Sequence, residues 1–437
     1  MPRGVPLVAP PGRGSFWYSS ARMTGVTDTA NQRNAVLAGF LGWTLDAFDF
    51  FILTLVIEDL AHAFLPGSPL VEARPRIALA ITLTLAMRPI GAVIFGLMAD
   101  RYGRRLPLMI NVIFYATVSV LCGLATTYWQ FIALRMLFGI GMGGEWGVGA
   151  SLALESASPR IRGLLSGLLQ EGYAIGNLLS ALAFRTIYPW AQGHWGTDAW
   201  RVMFFVGGLP ALLSLFIRMR VKESEAWHEH RTDWADYRRV LRQNSRRFFY
   251  LVLLMTAMNF MSHGTQDMYP TLLRSFGYDK ARIADITMLS MVGAIIGGLV
   301  FGYWSDRSGR RRAMITAASC GLVVLPLWIA GFSPLATIAG VFLMQFFVQG
   351  AWGIIPAHLN ELSPSKARGF FPGFAYQLGV MFASSIPYVE SSLGEIFTYK
   401  QAMGGLMAFV FVAVVVVVWR GPEARGISFR KDVPGAA

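Results

Sequence analysis

A cluster of polar residues interrupts an apolar stretch of the chain at residues 247–273. Its members are Asn259, Ser262, His263, Gln266 and Asp267. This three- and four-residue spacing puts side chains on one face of an α-helix, here about 140° wide. A histidine and a carboxylate one turn apart can exchange a proton near neutral pH, because the carboxylate stabilises the charged imidazole. We therefore predict a wet polar face on which His263 and Asp267 carry a proton. A hydrogen-bonded packing network is the simpler alternative, and a metal site is disfavoured because the amides are poor ligands.

Arg88 lies near the middle of another apolar stretch, residues 77–98. If that stretch crosses a membrane, a central arginine costs about 2.5–3.5 kcal/mol on insertion scales and needs a compensating role. A guanidinium binds a carboxylate through two parallel hydrogen bonds. Arg88 is therefore the natural anchor for a carboxylate. An ion pair with an aspartate of the first apolar stretch is the alternative, and both roles are compatible.

Three more carboxyl groups lie inside apolar stretches. Asp46 and Asp49 are three residues apart and share a helix face with Gly39 and Gly42, while Glu145 ends a glycine-rich run. Small residues allow neighbouring helices to approach closely, and burial favours the protonated form of a carboxyl group. We predict that these groups support proton exchange. Structural hydrogen bonding beside a cavity is the alternative.

The segments that must position these residues are long and apolar. The chain has 437 residues, of which 54% are hydrophobic and 14% are charged, against about 25% charged residues in soluble domains. Twelve apolar runs lie between residues 34 and 420, and many have the roughly 20 residues that a helix needs to cross a bilayer. The prediction is an all-α membrane protein with twelve transmembrane helices.

Charge and motifs exclude several function classes. The net charge of +13 comes from short loops between apolar runs, so no basic face for nucleic acid is indicated. Gly-x-Ser-x-Gly, His-Glu-x-x-His and phosphate-binding motifs are missing from the sequence. The two cysteines, Cys122 and Cys320, are far apart in apolar runs and suggest neither a disulfide nor a metal site. We expect no enzyme activity, no cofactor and no metal.

One charged loop occurs twice in the chain. Gly96, Asp100, Arg101, Gly103, Arg104 and Arg105 recur 206 positions later as Gly302, Asp306, Arg307, Gly309, Arg310 and Arg311. The same offset relates Trp146 to Trp352, Glu155 to Glu361 and Arg162 to Arg368. Such a repeat predicts two pseudo-symmetric six-helix bundles. The predicted divisions are a disordered tail at 1–33, a first half at 34–218, a linker at 219–246, a second half at 247–420 and a tail at 421–437.

The repeated charges suggest both an orientation and a gate. Basic loops lie on the cytoplasmic side of membrane proteins, so both termini, the linker and the duplicated loops are predicted to be cytoplasmic. The predicted gating residues are Asp100, Arg101, Arg104, Glu155 and Arg162, with their repeats Asp306, Arg307, Arg310, Glu361 and Arg368. We expect Glu155 to extend one network with Arg162, and Glu361 the other with Arg368. Positive charge that only sets topology is the alternative.

The duplicated loop resembles the signature of the major facilitator superfamily, and the resemblance covers nearly all of the chain after residue 30. The stripe that begins at Asn259 and ends at Thr271 resembles a narrower signature, that of the fungal-type lactate/pyruvate permeases in the sialate:proton symporter branch. This second resemblance implies uptake and proton-coupling roles for Asn259, His263 and Asp267. It also implies a functional arginine at Arg88. In the run that begins at Tyr376, it implies an effect of Gln377 on substrate preference.

Together these patterns imply a monomeric secondary transporter of the plasma (cell inner) membrane that couples short monocarboxylates such as lactate or pyruvate to protons by alternating access. Its expected partners are a small organic anion, the proton and the lipid bilayer. The expected substrate-binding residues are Arg88, Asn259, His263, Gln266, Tyr376 and Gln377. Two alternatives remain, namely the same fold carrying sialate, an aromatic acid or another organic acid, and a non-transporting membrane sensor.

Overall fold

The computed structural model describes residues 29–229, 234–267, 269–386, 389, 393 and 396–429, and within them all regular structure is helical. The prediction of twelve transmembrane helices in two bundles is confirmed. Spans 1 to 6 are Thr29–Leu55, Leu70–Tyr102, Arg105–Leu124, Tyr128–Glu155, Arg162–Gln170 with Gly172–Trp195, and Ala199–Val206 with Ala211–Arg220. Spans 7 to 12 are Ser245–Gln266 with Tyr269–Ser275, Lys280–Ser308, Arg310–Ala330, Pro334–Trp352 with Ile355–Leu362, Phe371–Ala383, and Tyr399–Arg420.

Shorter helices connect these spans. Ile57–Phe64 follows span 1, and Glu225–Glu229 and Trp234–Gln243 lie between the two halves. Residues 29–33, predicted as part of the N-terminal tail, belong to the first helix. The rest of that tail, and residues 430–437 of the C-terminal tail, lie outside the described residues.

Eight helical runs of the described chain are long and apolar enough to cross a membrane by length and composition, and one of them, Arg162–Arg220, contains two spans. Spans 4, 7 and 11 fall outside this set. Span 4 carries Arg135 and Glu145, span 7 carries the polar stripe, and span 11 carries Gln377. Spans 4 and 7 bring these polar groups into the bundle, whereas the described helix of span 11 has 13 residues and is too short for the set.

Each duplicated loop reverses the chain at a glycine. Gly103 ends span 2 with a φ of 99°, and Gly309 ends span 8 with a φ of 98°. Side chains disfavour this left-handed region, so the glycine of the repeated loop has a conformational cause. We call the end of the bundle that carries these two loops the loop end.

Each half has its own hydrophobic core, and two tryptophans of the first half pack in the core of the second. Trp43 of span 1 and Trp146 of span 4 belong to the apolar cluster of the second half. Close helix contact also fixes the centre of the first half. A Cβ added to Gly143 of span 4 would lie 1.9 Å from the carbonyl oxygen of Arg88. Glycine at this position lets spans 2 and 4 touch at the depth of Arg88.

Candidate functional site

Arg88 lies at the centre of the bundle and is 3% exposed. Its Cζ atom is 5.9 Å from the ring centroid of Trp43 and 6.0 Å from that of Tyr376. Nε and Nη2 are buried and have no hydrogen-bond partner among the described residues. Asp46 is within electrostatic range of the guanidinium, but within the described part of the chain no carboxylate is ion-paired with it. One edge of the guanidinium is therefore open to a ligand.

Aromatic rings from both halves surround this arginine. The Tyr376 ring stacks on Trp146 at 4.2 Å and meets Trp352 and Trp43 edge-on at 5.8 and 6.3 Å. Trp43 stacks in turn on Tyr173 at 5.5 Å. Tyr376 thus lies beside Arg88, as its predicted binding role requires. The tryptophans were not predicted as site residues, although the recurrence of Trp146 as Trp352 was a signal.

The two amides predicted to bind substrate have different surroundings. Gln377 is fully buried; its Nε2 donates to the carbonyl of Gly143 at 3.5 Å, and its Oε1 has no partner in the described chain. Because Gly143 touches the backbone of Arg88, Gln377 belongs to the same site. Asn259 is also buried, but its Nδ2 donates to the carbonyl of Met255 in its own helix at 2.8 Å.

The polar stripe of span 7 divides into two groups. Gln266 donates to Gln345 of span 10 at 2.9 Å, and Gln349 of span 10 donates to Ser262 at 3.3 Å. These side chains form the packing network that was the alternative interpretation. His263 and Asp267 differ, since their side chains are 37% and 35% exposed and are joined at 3.1 Å.

The structure does not place the His263–Asp267 pair against Arg88. Tyr173 connects the two regions, because its phenol is within electrostatic range of both Arg88 and Asp267. The predicted substrate-binding set therefore separates into a central group around Arg88 and an exposed pair on span 7.

The three carboxyl groups predicted to support proton exchange, Asp46, Asp49 and Glu145, are all buried. Asp49 accepts a hydrogen bond from Ser119 of span 3 at 2.6 Å. Asp46 and Glu145 are within electrostatic range of one another, and their oxygens have no partner among the described residues. Glu145 occupies space left by a glycine, since a Cβ on Gly42 would lie 2.0 Å from its Oε1.

A second arginine of the first half was missed. Arg135 of span 4 is fully buried, and its Cζ lies 4.2 Å from the ring of Phe138. It is within electrostatic range of Asp46 and Asp49. The signal was the one used for Arg88, a charged residue inside an apolar stretch.

The duplicated charges form two related networks at the loop end, and their pairing corrects the prediction. Glu155 pairs with Arg104 at 3.0 Å and with Arg368 of the other half at 3.4 Å, not with Arg162. In the repeat, Glu361 pairs with Arg310 at 2.9 Å and with Arg162 of the other half at 3.1 Å. The start of span 5 lies against span 8 and the start of span 11 against span 2. Arg162 and Arg368 therefore each meet the glutamate of the opposite half.

Backbone donors join the halves at the same places. Asp100 accepts from the backbone N–H groups of Gly369 and Phe370 at 2.7 and 3.1 Å. Asp306 accepts from those of Gly163 and Leu164 at 2.7 and 3.0 Å. A carboxylate is stabilised by the free N–H groups at the start of a helix. Each loop aspartate therefore holds the beginning of a span from the other half.

Arg101 and Arg307 lie in the last turns of spans 2 and 8. Arg307 is exposed and packs over the ring of Tyr303 at 4.3 Å. The acidic networks use Arg104 and Arg310 instead, because these residues follow the reversing glycines and point back into the bundle.

Two further glutamates complete the repeat. Glu223 accepts from the backbone N–H of Arg104 at 2.7 Å, and Glu423 accepts from that of Arg311 at 2.9 Å. Burial alone would raise the pKa of Glu423, but donors from Arg311, Ala424 and Arg425 outweigh it and hold that pKa below its usual value. The sequence signal was a second repeat, Arg220-x-x-Glu223 and Arg420-x-x-Glu423, at an offset of 200 rather than 206.

The segments after spans 6 and 12 cover the loop end. Phe429 is 3% exposed and lies between the arginines of the two halves, 3.8 Å from Cζ of Arg162 and 3.9 Å from Cζ of Arg368. On the other side, Trp227 and Tyr237 donate to Asp100 at 2.9 and 3.4 Å. The two halves are thus closed against each other at this end.

Two family profiles divide the chain between them. Residues 34–250 match "Sugar (and other) transporter" and residues 267–435 match "Major Facilitator Superfamily". The chain belongs to the major facilitator superfamily. It is a multi-pass membrane transporter and not an enzyme.

Solved structures support this fold. A superfamily proton:xylose symporter, solved with 6-bromo-6-deoxy-D-glucose, matches with a TM-score of 0.74 at 18% identity, over 91% of this chain and 97% of that one. At this identity the similarity concerns the fold alone.

Two named transporters are similar to this chain in sequence. A "Carboxylic acid transporter protein homolog" of Saccharomyces cerevisiae is 28% identical over 89% of this chain and 65% of its own length. The "Sialic acid transporter NanX" of Escherichia coli is 28% identical over 88% of this chain and 91% of its own. This chain therefore spans about two-thirds of the yeast protein and nearly all of the bacterial one.

Proposed function

We propose that this chain is a proton-coupled symporter of short monocarboxylates such as lactate or pyruvate. The observation that carries the proposal is the open edge of Arg88, a buried guanidinium between the halves with Nε and Nη2 unpaired in the described structure. A buried cation of this kind is stabilised by an anion that binds it bidentately. The names of the yeast and bacterial relatives, a carboxylic acid and a sialic acid transporter, support an organic acid as that anion.

Tyr376 and Gln377 complete the binding site around Arg88. Tyr376 covers one side of the guanidinium at 6.0 Å, which leaves the Nε–Nη2 edge for the carboxylate. Gln377 offers its unpaired Oε1 to a polar group on the substrate. Gln266 stabilises span 7 through its bond to Gln345 and acts on the substrate only through the position of that helix.

The proton is carried by carboxyl groups and a histidine. His263 and Asp267 are joined at 3.1 Å and are accessible, so they take up the proton first. Asp46 and Glu145 are buried without partners in the described chain. Two unpaired negative charges are not stably buried together, so this pair retains a proton while the site is empty. Protonation raises substrate affinity, and substrate raises proton affinity by the same factor.

The charge networks close one side of the transporter. Basic loops lie on the cytoplasmic side of membrane proteins. We therefore assign the protein to the cell inner membrane, with the loop end and both termini in the cytoplasm. The conformation described here is then closed to the cytoplasm. Opening on that side requires the pairs Arg162–Glu361 and Arg368–Glu155 to separate, which makes them the gate between the two halves.

The test is uptake by purified protein in proteoliposomes, with and without an inward proton gradient. Lactate should accumulate above its equilibrium level only with the gradient, and Arg88→Ala should abolish accumulation. Sialate is the second candidate, favoured by the bacterial relative, and competition against labelled lactate ranks the two. A protein that binds acids and moves none would instead be a sensor.

A further inference from the structure

The aromatic rings around Arg88 carry hydrogen-bond donors that the protein itself does not use. Trp43 and Trp352 are each 3% exposed. Their indole nitrogens are buried and have no acceptor within the described residues. Buried donors are nearly always paired with protein, water or ligand. The Trp43 ring lies next to the Arg88 guanidinium and the Trp352 ring lies against Tyr376, so the two donors indicate a ligand with several oxygen atoms.

The repeat explains why the indole of Trp352 is left without an acceptor. Its counterpart in the first half, Trp146, donates from Nε1 to Gln170 at 3.4 Å. The position equivalent to Gln170 in the second half is Tyr376, whose ring meets Trp352 edge-on at 5.8 Å. An amide acceptor has thus been replaced by a ring, and the donor that it satisfied remains unpaired.

Trp43 has no tryptophan counterpart, since the equivalent residue of span 7 is Phe249. Its ring centroid lies 5.9 Å from Cζ of Arg88, and it is held by a stack on Tyr173 at 5.5 Å. The ring position is therefore fixed from one side by Tyr173 and faces the guanidinium. Its unpaired N–H is therefore carried by a ring that lies next to Arg88.

We infer that Trp43 and Trp352 bind substrate through their indole N–H groups and select acids that carry an oxygen on the carbon next to the carboxylate. This rests on the proposed function, because it requires a carboxylate on Arg88. The guanidinium edge pairs with the carboxylate, and the indoles then need a further acceptor. A 2-hydroxy or 2-oxo oxygen supplies it, whereas an unsubstituted acid leaves a buried donor unpaired. Sites built to bond a substrate oxygen discriminate strongly against the analogue that lacks it.

The test compares L-lactate with propionate, which lacks only the hydroxyl group, in proteoliposomes of the full-length protein. The wild type should show a KM for lactate at least about tenfold below that for propionate. Trp43→Phe and Trp352→Phe keep a ring and remove the donor. Each should raise the KM for lactate about tenfold relative to that for propionate, so that the two KM values approach one another.

Trp146→Phe is the matched control. Its indole already donates to Gln170, so the substitution should leave the ratio of the two KM values unchanged. A purely structural role for Trp43 or Trp352 would instead raise both KM values together.

Two outcomes overturn the inference and leave the proposed function standing. One is equal KM values for lactate and propionate in the wild type, which needs no variant and so does not depend on variant folding. The other is an equal rise of both values in the Phe variants. Failure of the wild type to move any acid overturns the proposed function, and this inference with it.

Discussion

Arg162 and Glu361 belong to different halves of the chain, yet their side chains meet at 3.1 Å and both are almost fully buried. The repeat places Arg368 against Glu155 in the same way at 3.4 Å. A buried ion pair that loses one partner is strongly destabilised. The two halves are thus held together by contacts that are costly to break individually, as suits a gate that opens only when binding energy is available.

Neutralising one partner should open this gate. Glu361→Gln removes the partner of Arg162 and Arg310, at a cost of about 3–5 kcal/mol to the closed form. The reporter is Ser151→Cys, at a buried position that bonds to Arg368 at 2.8 Å, in a chain with Cys122→Ser and Cys320→Ser. Its alkylation by a water-soluble maleimide should accelerate at least tenfold. Glu58→Gln, at an exposed ion pair, is the control, and an unchanged rate in Glu361→Gln would contradict the assignment.

Phe429 should contribute to the same closure from outside the bundle. Its ring contacts an arginine of each half at 3.8 and 3.9 Å, and a cation–π contact stabilises by about 0.5–2 kcal/mol. Phe429→Ala should therefore accelerate alkylation at residue 151 less than Glu361→Gln does, but measurably. Phe332→Ala removes a ring that is 83% exposed and should change nothing. Equal rates in the two alanine variants would show that the tail only covers the surface.

The sequence predicted the parts of this protein that depend on local pattern. Apolar length predicted the spans, and the repeat at an offset of 206 predicted two related halves. It also identified Arg162 and Glu361, but it assigned each to a partner in its own half. Pairing across halves depends on how the two bundles dock, and spacing within one chain carries no information about that.

The candidate site was likewise predicted where local pattern was sufficient, and not where the packing between helices decides. Arg88, Tyr376 and Gln377 were predicted and lie together, whereas Gln266 turned out to bond to span 10. A helical stripe identifies the polar face but not its neighbour. Trp43 was missed as a site residue because an indole in an apolar run is indistinguishable from core until its N–H is found without an acceptor.

Removing the accessible proton carrier should separate coupling from binding. His263→Ala breaks the 3.1 Å contact with Asp267, and in the proposed mechanism this removes the group that takes up the proton. Gradient-driven accumulation of lactate should fall at least tenfold, while exchange of internal for external lactate continues. His194→Ala, at an exposed histidine bonded to the carbonyl of Trp190, should behave as wild type. Full gradient-driven accumulation in His263→Ala would rule out its proton role.

The contact between spans 2 and 4 should tolerate no added atom. Gly143→Ala would put a Cβ 1.9 Å from the carbonyl oxygen of Arg88, and such overpacking costs about 1–3 kcal/mol. Its thermal unfolding midpoint in detergent should fall, and lactate uptake with it. Gly405→Ala adds a Cβ with no atom within 4 Å, so it should be neutral or stabilising, because alanine favours a helix by up to about 1 kcal/mol over glycine. A Gly143→Ala variant as stable as Gly405→Ala would argue against the close packing.

The central claim is that one site couples a carboxylate on Arg88 to a proton. The most direct measurement is internal pH in proteoliposomes after lactate is added outside, with no gradient imposed and with the membrane potential clamped. Wild-type protein should acidify the interior at a rate that follows lactate influx. Arg88→Ala should show neither lactate influx nor acidification. Arg88→Lys, which keeps the charge but loses the bidentate fork, should retain only a small fraction of both rates. Lactate influx without acidification, or undiminished influx in Arg88→Ala, would contradict the account.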